Sequence, residues 1–390
     1  MKPSGPYRPW RNPVLLLLGL VSLFSEIASQ MVYPLMPQFL EGLGASKSLI
    51  GLIEGAAASA AELLRTLFGR WSDRLGRRKG FVLAGYGLAA LARPLLFLAT
   101  QWQQVLGLRF ADRVGKALRS PARDALLSVS VPPAHKGASF GFQRALDRSG
   151  AILGPLAAMA VLHYFPGELR QVFLWSALPA LLAVGLLLFV KDQPFTPAPR
   201  AEKAAPAWSS RSFRVLLLSQ ALFSLGASSD AFLLLKAGET GISAAWLPLL
   251  WMLYNLSCVI WSPIFGSLSD RWGRRRVILL SFGVYAFLYF CFGLASESWQ
   301  MWPLFFAYGV YYGLSAGVLR AYVAELAPPE RRGSAYGLLN TVTGLAVLLA
   351  SLLTGFIWDL AGSQAALWAS AAFAVAGAAV MLAGDRRLKT

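Results

Sequence analysis

GRWSDRLGRRKG (residues 69–80) returns as GSLSDRWGRRRV (residues 266–277), with Asp73 and Asp270 standing 197 positions apart in a chain of 390 residues. A second pair, PPAHKGASFG (132–141) and PPERRGSAYG (328–337), is offset by 196. A third and weaker pair, LFSEIASQ (23–30) and LFSLGASS (222–229), is offset by 199. Three matches at one spacing, close to half the chain, mark a duplication. The chain is therefore expected to divide into halves at 1–190 and 212–390. The joint at 191–211 places Pro194, Pro197, Pro199 and Pro206 among charged and small residues, the composition of a linker.

The repeated unit belongs in a membrane. Hydrophobic residues make up 56% of the chain and charged residues 14%, against about 25% charged in soluble proteins. Runs such as Val14–Leu23, Leu178–Val190 and Ala365–Leu382 exceed what one soluble core can hide. A hydrocarbon layer of ~30 Å takes about 20 apolar residues per helix. By that ruler about twelve spans are predicted, near 13–36, 48–69, 80–100, 103–128, 138–162, 171–190, 213–236, 245–266, 277–296, 301–325, 334–357 and 365–384. The expected fold class is an all-α membrane protein of twelve transmembrane helices in two six-helix pseudo-symmetric bundles. An even number of spans per half makes the repeats parallel.

A net charge of +17 would suggest nucleic acid in a soluble protein, but here its placement speaks otherwise. Loops on one side carry Lys2, Arg8 and Arg11, Arg70 to Lys79, Lys136, Lys191 to Arg214, Arg271 to Arg276, Arg331 and Arg332, and Arg386 to Lys389. The opposite loops hold little beyond Lys47, Arg170 and Lys236. The positive-inside rule then puts both termini in the cytoplasm of a multi-pass protein of a bacterial-type plasma (inner) membrane. No nucleic-acid partner is expected; the bilayer is the expected surroundings, with anionic headgroups a secondary partner. The first apolar run continues past Met31 without a cleavage site, so it reads as a retained helix. Cys258 and Cys291 fall inside spans and read as small core residues. His135 and His163 lie far apart with no ligand spacing, so neither a metal, a cofactor nor a catalytic constellation is expected, and the chain does not read as an enzyme.

The pattern G-x-x-x-D-R-x-G-R-R after the second and eighth spans resembles the signature loop of the major facilitator superfamily of secondary transporters. Span number, topology and duplication extend the resemblance over essentially the whole chain. It implies alternating access, a small-molecule substrate and a monomer. It also implies a gating role for Gly69, Asp73, Arg74, Gly76 and Arg77 and for Gly266, Asp270, Arg271, Gly273 and Arg274, a cluster that latches the cytoplasmic side while the transporter faces outward. Physically, Gly69 and Gly266 allow close helix approach and Gly76 and Gly273 a tight turn. Asp73 and Asp270 can accept hydrogen bonds from arginines or cap a helix. Topogenic charge with a tight turn is the plainer account of the same residues.

The fourth span is unusual. RFADRVGKALRSPARD (109–124) places Arg109, Asp112, Arg113, Lys116, Arg119, Arg123 and Asp124 within about 140° of one helix face. Phe110, Ala111, Val114, Ala117, Leu118, Ala122 and Ala125 occupy the other face. Such segregation fits a crossing helix whose polar face is turned from lipid. The family resemblance places the first, fourth, seventh and tenth spans around the central cavity and puts Arg109 at the fourth-span arginine position linked to proton coupling. Asp112, Arg113 and Lys116 depart from that pattern. Two readings stay open: Arg109, Arg113 and Lys116 grip substrate, an anion in particular, or the stripe is an ion-pair ladder in which Asp112 meets Arg109 and Lys116. Arg144, Asp147 and Arg148 of the fifth span are expected to pair with its cytoplasmic end.

Further intramembrane groups are Glu26, Glu54, Glu62, Arg65, Arg93, Asp230 and Arg320. Glu26, Asp230, Asp112 and Glu62 are the candidate proton carriers, because a carboxylate in hydrocarbon must find water, a cation or a proton. Gln30, Tyr33, Asn255, Tyr312 and Arg320 are further candidate cavity contacts, with Gln143, Tyr311 and Asn340 as additional polar groups. Gly141, Gly150, Gly154 and Pro155 reproduce the spacing G-x8-G-x3-G-P, which resembles the helix-packing motif of the superfamily's proton antiporters; Ala158 and Met159 stand where that motif continues with glycines. The expected function is proton-coupled antiport that exports a small organic solute or drug. The alternatives are proton-coupled uptake of an anionic metabolite or metal chelate, and a non-transporting receptor on the same scaffold.

Overall fold

The structure is a computed structural model and describes residues 9–75, 78–132, 135–190, 210–328 and 331–386. All regular structure among them is helical: α1 (Pro13–Val32), α2 (Met36–Gly42), α3 (Lys47–Leu75), α4 (Arg78–Leu95), α5 (Trp102–Val129), α6 (Lys136–Tyr164), α7 (Leu169–Trp175), α8 (Ala177–Leu188), α9 (Arg211–Gly226), α10 (Ala231–Glu239), α11 (Leu247–Trp272), α12 (Arg274–Leu294), α13 (Ser298–Leu326) and α14 (Arg332–Arg386). Helices α1 with α2, α7 with α8, and α9 with α10 form single crossings. In α14, Gly362 takes φ 85°, ψ 172° and breaks the helix into two crossings. The result is twelve crossings in an all-α membrane fold.

Three crossings, α3, α5 and α13, are missing from the segments apolar enough to be read as membrane spans on composition alone. They are the second, fourth and tenth. Charge thins their apolar content in α3 and α5, and tyrosine, glycine and tryptophan do so in α13. The charged stretch 109–124 is helical throughout, including Pro121, with Phe110 exposed and Arg109, Asp112 and Arg119 buried.

The duplication is visible in matching bonds. Helix α5 starts with the Gln101 amide donating to Gln104 Oε1, and α13 with the Glu297 amide donating to Gln300 Oε1. Arg78 donates to the Ala125 carbonyl at 3.2 Å, and Arg274 donates to the Ala321 carbonyl at 3.2 Å. Lys79 reaches the Leu188 carbonyl, and Arg275 the Met381 carbonyl. The donors in these pairs sit 196 positions apart, as do Ala125 and Ala321, so the 197 offset of the loop slips by one residue before α4 and α12 begin.

Contacts gather the chain into two compact units, residues 1–33 with 64–198 and residues 34–63 with 199–390. Residues 34–63 thus sort with the second unit, although sequence repetition assigns them to the first half. Most of the expected linker, residues 191–209, lies outside the described residues. In the first unit, Leu15, Leu18, Val21, Val82, Tyr86, Leu126, Leu127 and Leu187 make one buried core. Helices α4 and α5 cross at Gly85 and Gly115, where a Cβ on Gly115 would stand 2.6 Å from the Gly85 carbonyl oxygen. Helix α6 lies against α1 in the same way: a Cβ on Gly150 would stand 2.6 Å from the Leu23 carbonyl oxygen, and one on Gly154 would stand 2.7 Å from that of Ile27. Gly141, from the same motif, has nothing within 4 Å.

Candidate functional site

The charged face of α5 is organised by its neighbours. Arg93, at the end of α4, places Nε and Nη2 each 2.9 Å from Asp112 Oδ1 and donates from Nη1 to the Ser25 carbonyl at 3.0 Å. Both side chains are buried, about 4% exposed each. Arg113 Nε reaches Asp112 Oδ2 at 4.0 Å. Arg109 lies over the Tyr33 ring, 5.8 Å from its centroid. About two turns beyond Asp112 along α5, Arg119 donates to Ser25 Oγ at 2.8 Å and stacks on Tyr86 at 4.3 Å. Arg123 donates to Ser22 Oγ at 3.2 Å, pairs with Asp124 at 2.9 Å and faces Asp147 at 4.0 Å. Gln143 donates to the same Ser22 hydroxyl.

The ladder expected along α5 is therefore drawn across helices. The short pair of Asp112 is with Arg93, because the Gly85–Gly115 crossing brings α4 within reach. Asp147 does meet the end of the stripe through Arg123. Ser22, Ser25 and Tyr86, which hold two of the arginines, carry no charge pattern in the sequence. They become legible only once α1 and α4 are placed beside α5.

Glu26 lies in the same unit, on the α1 face against Gly150, and accepts from Gln30 Nε2 at 2.6 Å. The basic side chains of Lys116, Arg119 and Arg93 stand near it. The close α1–α6 approach thus holds a carboxyl of the first span in front of the basic face of the fourth.

The second unit has a different chemistry. The seventh crossing is interrupted between α9 and α10, and Asp230 stands at the break. Tyr308 Oη donates to Asp230 Oδ1 at 2.7 Å. Around them Tyr254 stacks on Tyr308 (5.2 Å), Tyr308 on Tyr311 (5.4 Å) and Tyr285 on Tyr289 (4.0 Å), with Tyr312 edge-on to Tyr254. Of this cluster the sequence singled out only Asp230, Tyr311 and Tyr312. The missed signal is positional, since Tyr289 and Tyr308 stand 196 positions after Arg93 and Asp112. Asn255, expected at the cavity, donates back to the Trp251 carbonyl within its own helix. Arg320 is exposed twelve residues along α13 from Tyr308, about 18 Å, and stands apart from this cluster.

Of the loop residues, Gly76 and Arg77 and the side chains of Asp73 and Arg74 lie outside the described residues. In the second loop Gly273 takes φ 88°, which makes the turn. Arg274 pairs with Asp270 at 3.4 Å and Glu325 at 3.0 Å, while Arg271 is exposed. Gly69 is in ordinary contact with Pro121, and Gly266 has nothing within 4 Å, so close approach is not what a glycine serves at 266.

At the opposite helix ends, α3 is held by a residue the sequence did not mark. Asp359 accepts from the Lys47 and Ser48 amides at 3.0 and 2.9 Å and from Ser48 Oγ at 2.5 Å, capping the helix from α14. Lys47 also pairs with Glu41 and lies over Trp358, and Trp358 Nε1 donates to Glu239. Glu54 is buried, and Glu62 lies against Gly344 of α14. Asp359→Ala is expected to cost about 1 kcal/mol, the worth of a helix cap. It should also speed hydrogen exchange of the Lys47 and Ser48 amides selectively; unchanged exchange would show that water caps this end equally well.

Comparison with known proteins agrees with this architecture. The family model described as Major Facilitator Superfamily matches residues 18–250 and 216–389. An uncharacterized MFS-type transporter of Methanocaldococcus jannaschii is 32% identical over 378 residues, 93% of this chain and 92% of its own length. The multidrug resistance protein MdtG of Proteus mirabilis is 22% identical over 358 residues, 88% of each chain. Among solved structures, the nucleoside transporter NupG superposes with a TM-score of 0.81 at 14% identity, covering 95% of this chain and 99% of that one, a likeness of fold. The chain belongs to the major facilitator superfamily and is a multi-pass membrane transporter.

Proposed function

We propose that this transporter is a proton-coupled antiporter that exports a small organic solute by alternating access, with both termini in the cytoplasm. The observation that carries the reading is Glu26: a carboxyl on a membrane helix, pressed against Gly150 and facing Lys116. A carboxyl so placed can alternate between a proton and a neighbouring cation as access to it changes. Resemblance to multidrug resistance proteins supports the direction of transport. The test is purified protein in liposomes under an imposed pH gradient, read by accumulation of ethidium. The wild type is expected to accumulate it only when the gradient is present, and Glu26→Gln to fall to the level of protein-free liposomes. A Glu26→Gln variant that responds like wild type removes Glu26 from the mechanism.

A second reading, proton-coupled uptake of an anionic solute, is favoured by the basic excess on α5, where Arg109, Arg113 and Lys116 share a face. The same liposomes loaded with an anionic fluorophore decide between the two. Gradient-driven movement of the anion and none of ethidium selects uptake.

A further inference from the structure

The duplication has placed two different chemistries at equivalent positions. Arg93 and Asp112 of the first unit correspond, at the 196 offset, to Tyr289 and Tyr308 of the second, and Gly115 and Lys116 correspond to Tyr311 and Tyr312. The first unit closes its carboxylate Asp112 with an arginine. The second unit has no basic residue at these positions, yet it carries its own carboxyl, Asp230. That carboxyl receives one hydrogen bond from the neutral Tyr308 and has no ion pair among the described residues. Nor does it serve α10 as a cap, since no helix amide donates to its side chain.

What surrounds Asp230 is ring surface. Tyr308 from α13 touches it, Tyr254 from α11, Tyr289 from α12 and Tyr311 from α13 pack ring to ring on Tyr308, and Tyr285 packs on Tyr289 and Tyr311. Tyr254, Tyr289 and Tyr308 are buried, whereas Asp230, Tyr311 and Tyr312 are half-buried. Aromatic faces attract a cation through their negative quadrupole, most strongly where water is excluded. A hard inorganic cation would require six or more oxygen ligands, and one carboxylate with phenols does not provide them. A weakly hydrated organic cation needs only one carboxylate and several ring faces.

We propose that Asp230, with Tyr254, Tyr308, Tyr311 and Tyr312, forms a binding site for an organic cation bearing a quaternary ammonium or phosphonium-like centre. The site lies wholly within the second unit. It deepens the export reading and rests on it for the route by which the cation arrives.

Tetraphenylphosphonium and tetraphenylborate have the same shape and opposite charge, so together they separate charge recognition from greasiness. Titrated calorimetrically into the purified full-length protein in detergent, the phosphonium is expected to bind and the borate not. Asp230→Asn is expected to weaken phosphonium binding at least about tenfold, and Tyr308→Leu comparably; Tyr308→Phe, which keeps the ring, is expected to lose less. Tyr311→Leu, at a half-buried position, is expected to weaken it several-fold and carries the test if Asp230→Asn does not fold. Absence of phosphonium binding by the wild type overturns the proposal. So does binding of the borate with equal strength, or unchanged affinity in the folded variants. The export reading fails separately: phosphonium that binds in detergent yet is not moved in liposomes overturns export and leaves the site standing. Gradient-driven ethidium movement with unaltered phosphonium binding in Asp230→Asn overturns the site alone.

Discussion

Asp112→Leu is expected to destabilise the detergent-solubilised protein by about 3–5 kcal/mol, the usual consequence of leaving one member of a buried ion pair alone. The reason is specific to this geometry. Arg93 spends two guanidinium nitrogens on Asp112 and a third on the Ser25 carbonyl. Removing the carboxylate strands a guanidinium among α1, α4 and α5, where hydrocarbon and close helix packing exclude replacement water. Arg93→Leu should cost a similar amount, since it takes from Asp112 its 2.9 Å guanidinium pair. The double variant Asp112→Leu/Arg93→Leu is expected to recover most of the loss, because two apolar side chains of similar volume need no partner. Reversible denaturant unfolding of the three variants gives the coupling directly. Single variants within about 1 kcal/mol of wild type would mean that water reaches the pair. Asp112 would then return as a proton carrier.

That expectation also marks where sequence reading stops. The duplication was legible because loops 69–80 and 266–277 keep their residues, and most of the crossings because their apolar runs match a bilayer. The helical nature of 109–124 was legible too, since its charges fall on one face at the helical period. The partner of Asp112 was not. Spacing along one helix offered Arg109 and Lys116; the crossing of two glycines, Gly85 and Gly115, adds Arg93 by bringing a different backbone close. Asp359 was invisible for the same reason: it caps a helix more than three hundred residues away in sequence, and no local pattern announces a cap supplied from elsewhere. Tyrosine carries no charge to betray it in a span, and the nest around Asp230 is made by the packing of α11, α12 and α13. Burial and tertiary approach, not composition, assigned these partners.

The three glycines of the fifth-span packing motif should respond to substitution very differently, although the sequence presents them as one unit. Gly150→Val is expected to be severe. Its first side-chain carbon would stand 2.6 Å from the Leu23 carbonyl oxygen and 2.9 Å from the Glu26 Cβ. The nearest obstacle is backbone on α1, which cannot rotate away, so α1 and α6 must separate. Overpacking of this kind costs about 1–3 kcal/mol where side chains can adjust and more where they cannot. Separation would also carry Glu26 away from Lys116, so gradient-driven ethidium accumulation should fall further than stability does. Gly154→Val meets the Ile27 carbonyl at 2.7 Å and should behave alike. Gly141→Ala, with nothing within 4 Å of the added carbon, is expected to be neutral or to stabilise α6 by up to about 1 kcal/mol, because alanine is the better helix former. Thermal unfolding and liposome flux, measured on the same three preparations, test the contrast. Equal damage at Gly141 and Gly150 would show that the motif acts through flexibility of α6 instead of its approach to α1. Damage confined to Gly150 and Gly154 would show that the glycines matter because they let a carboxyl-bearing helix come within touching distance of its neighbour.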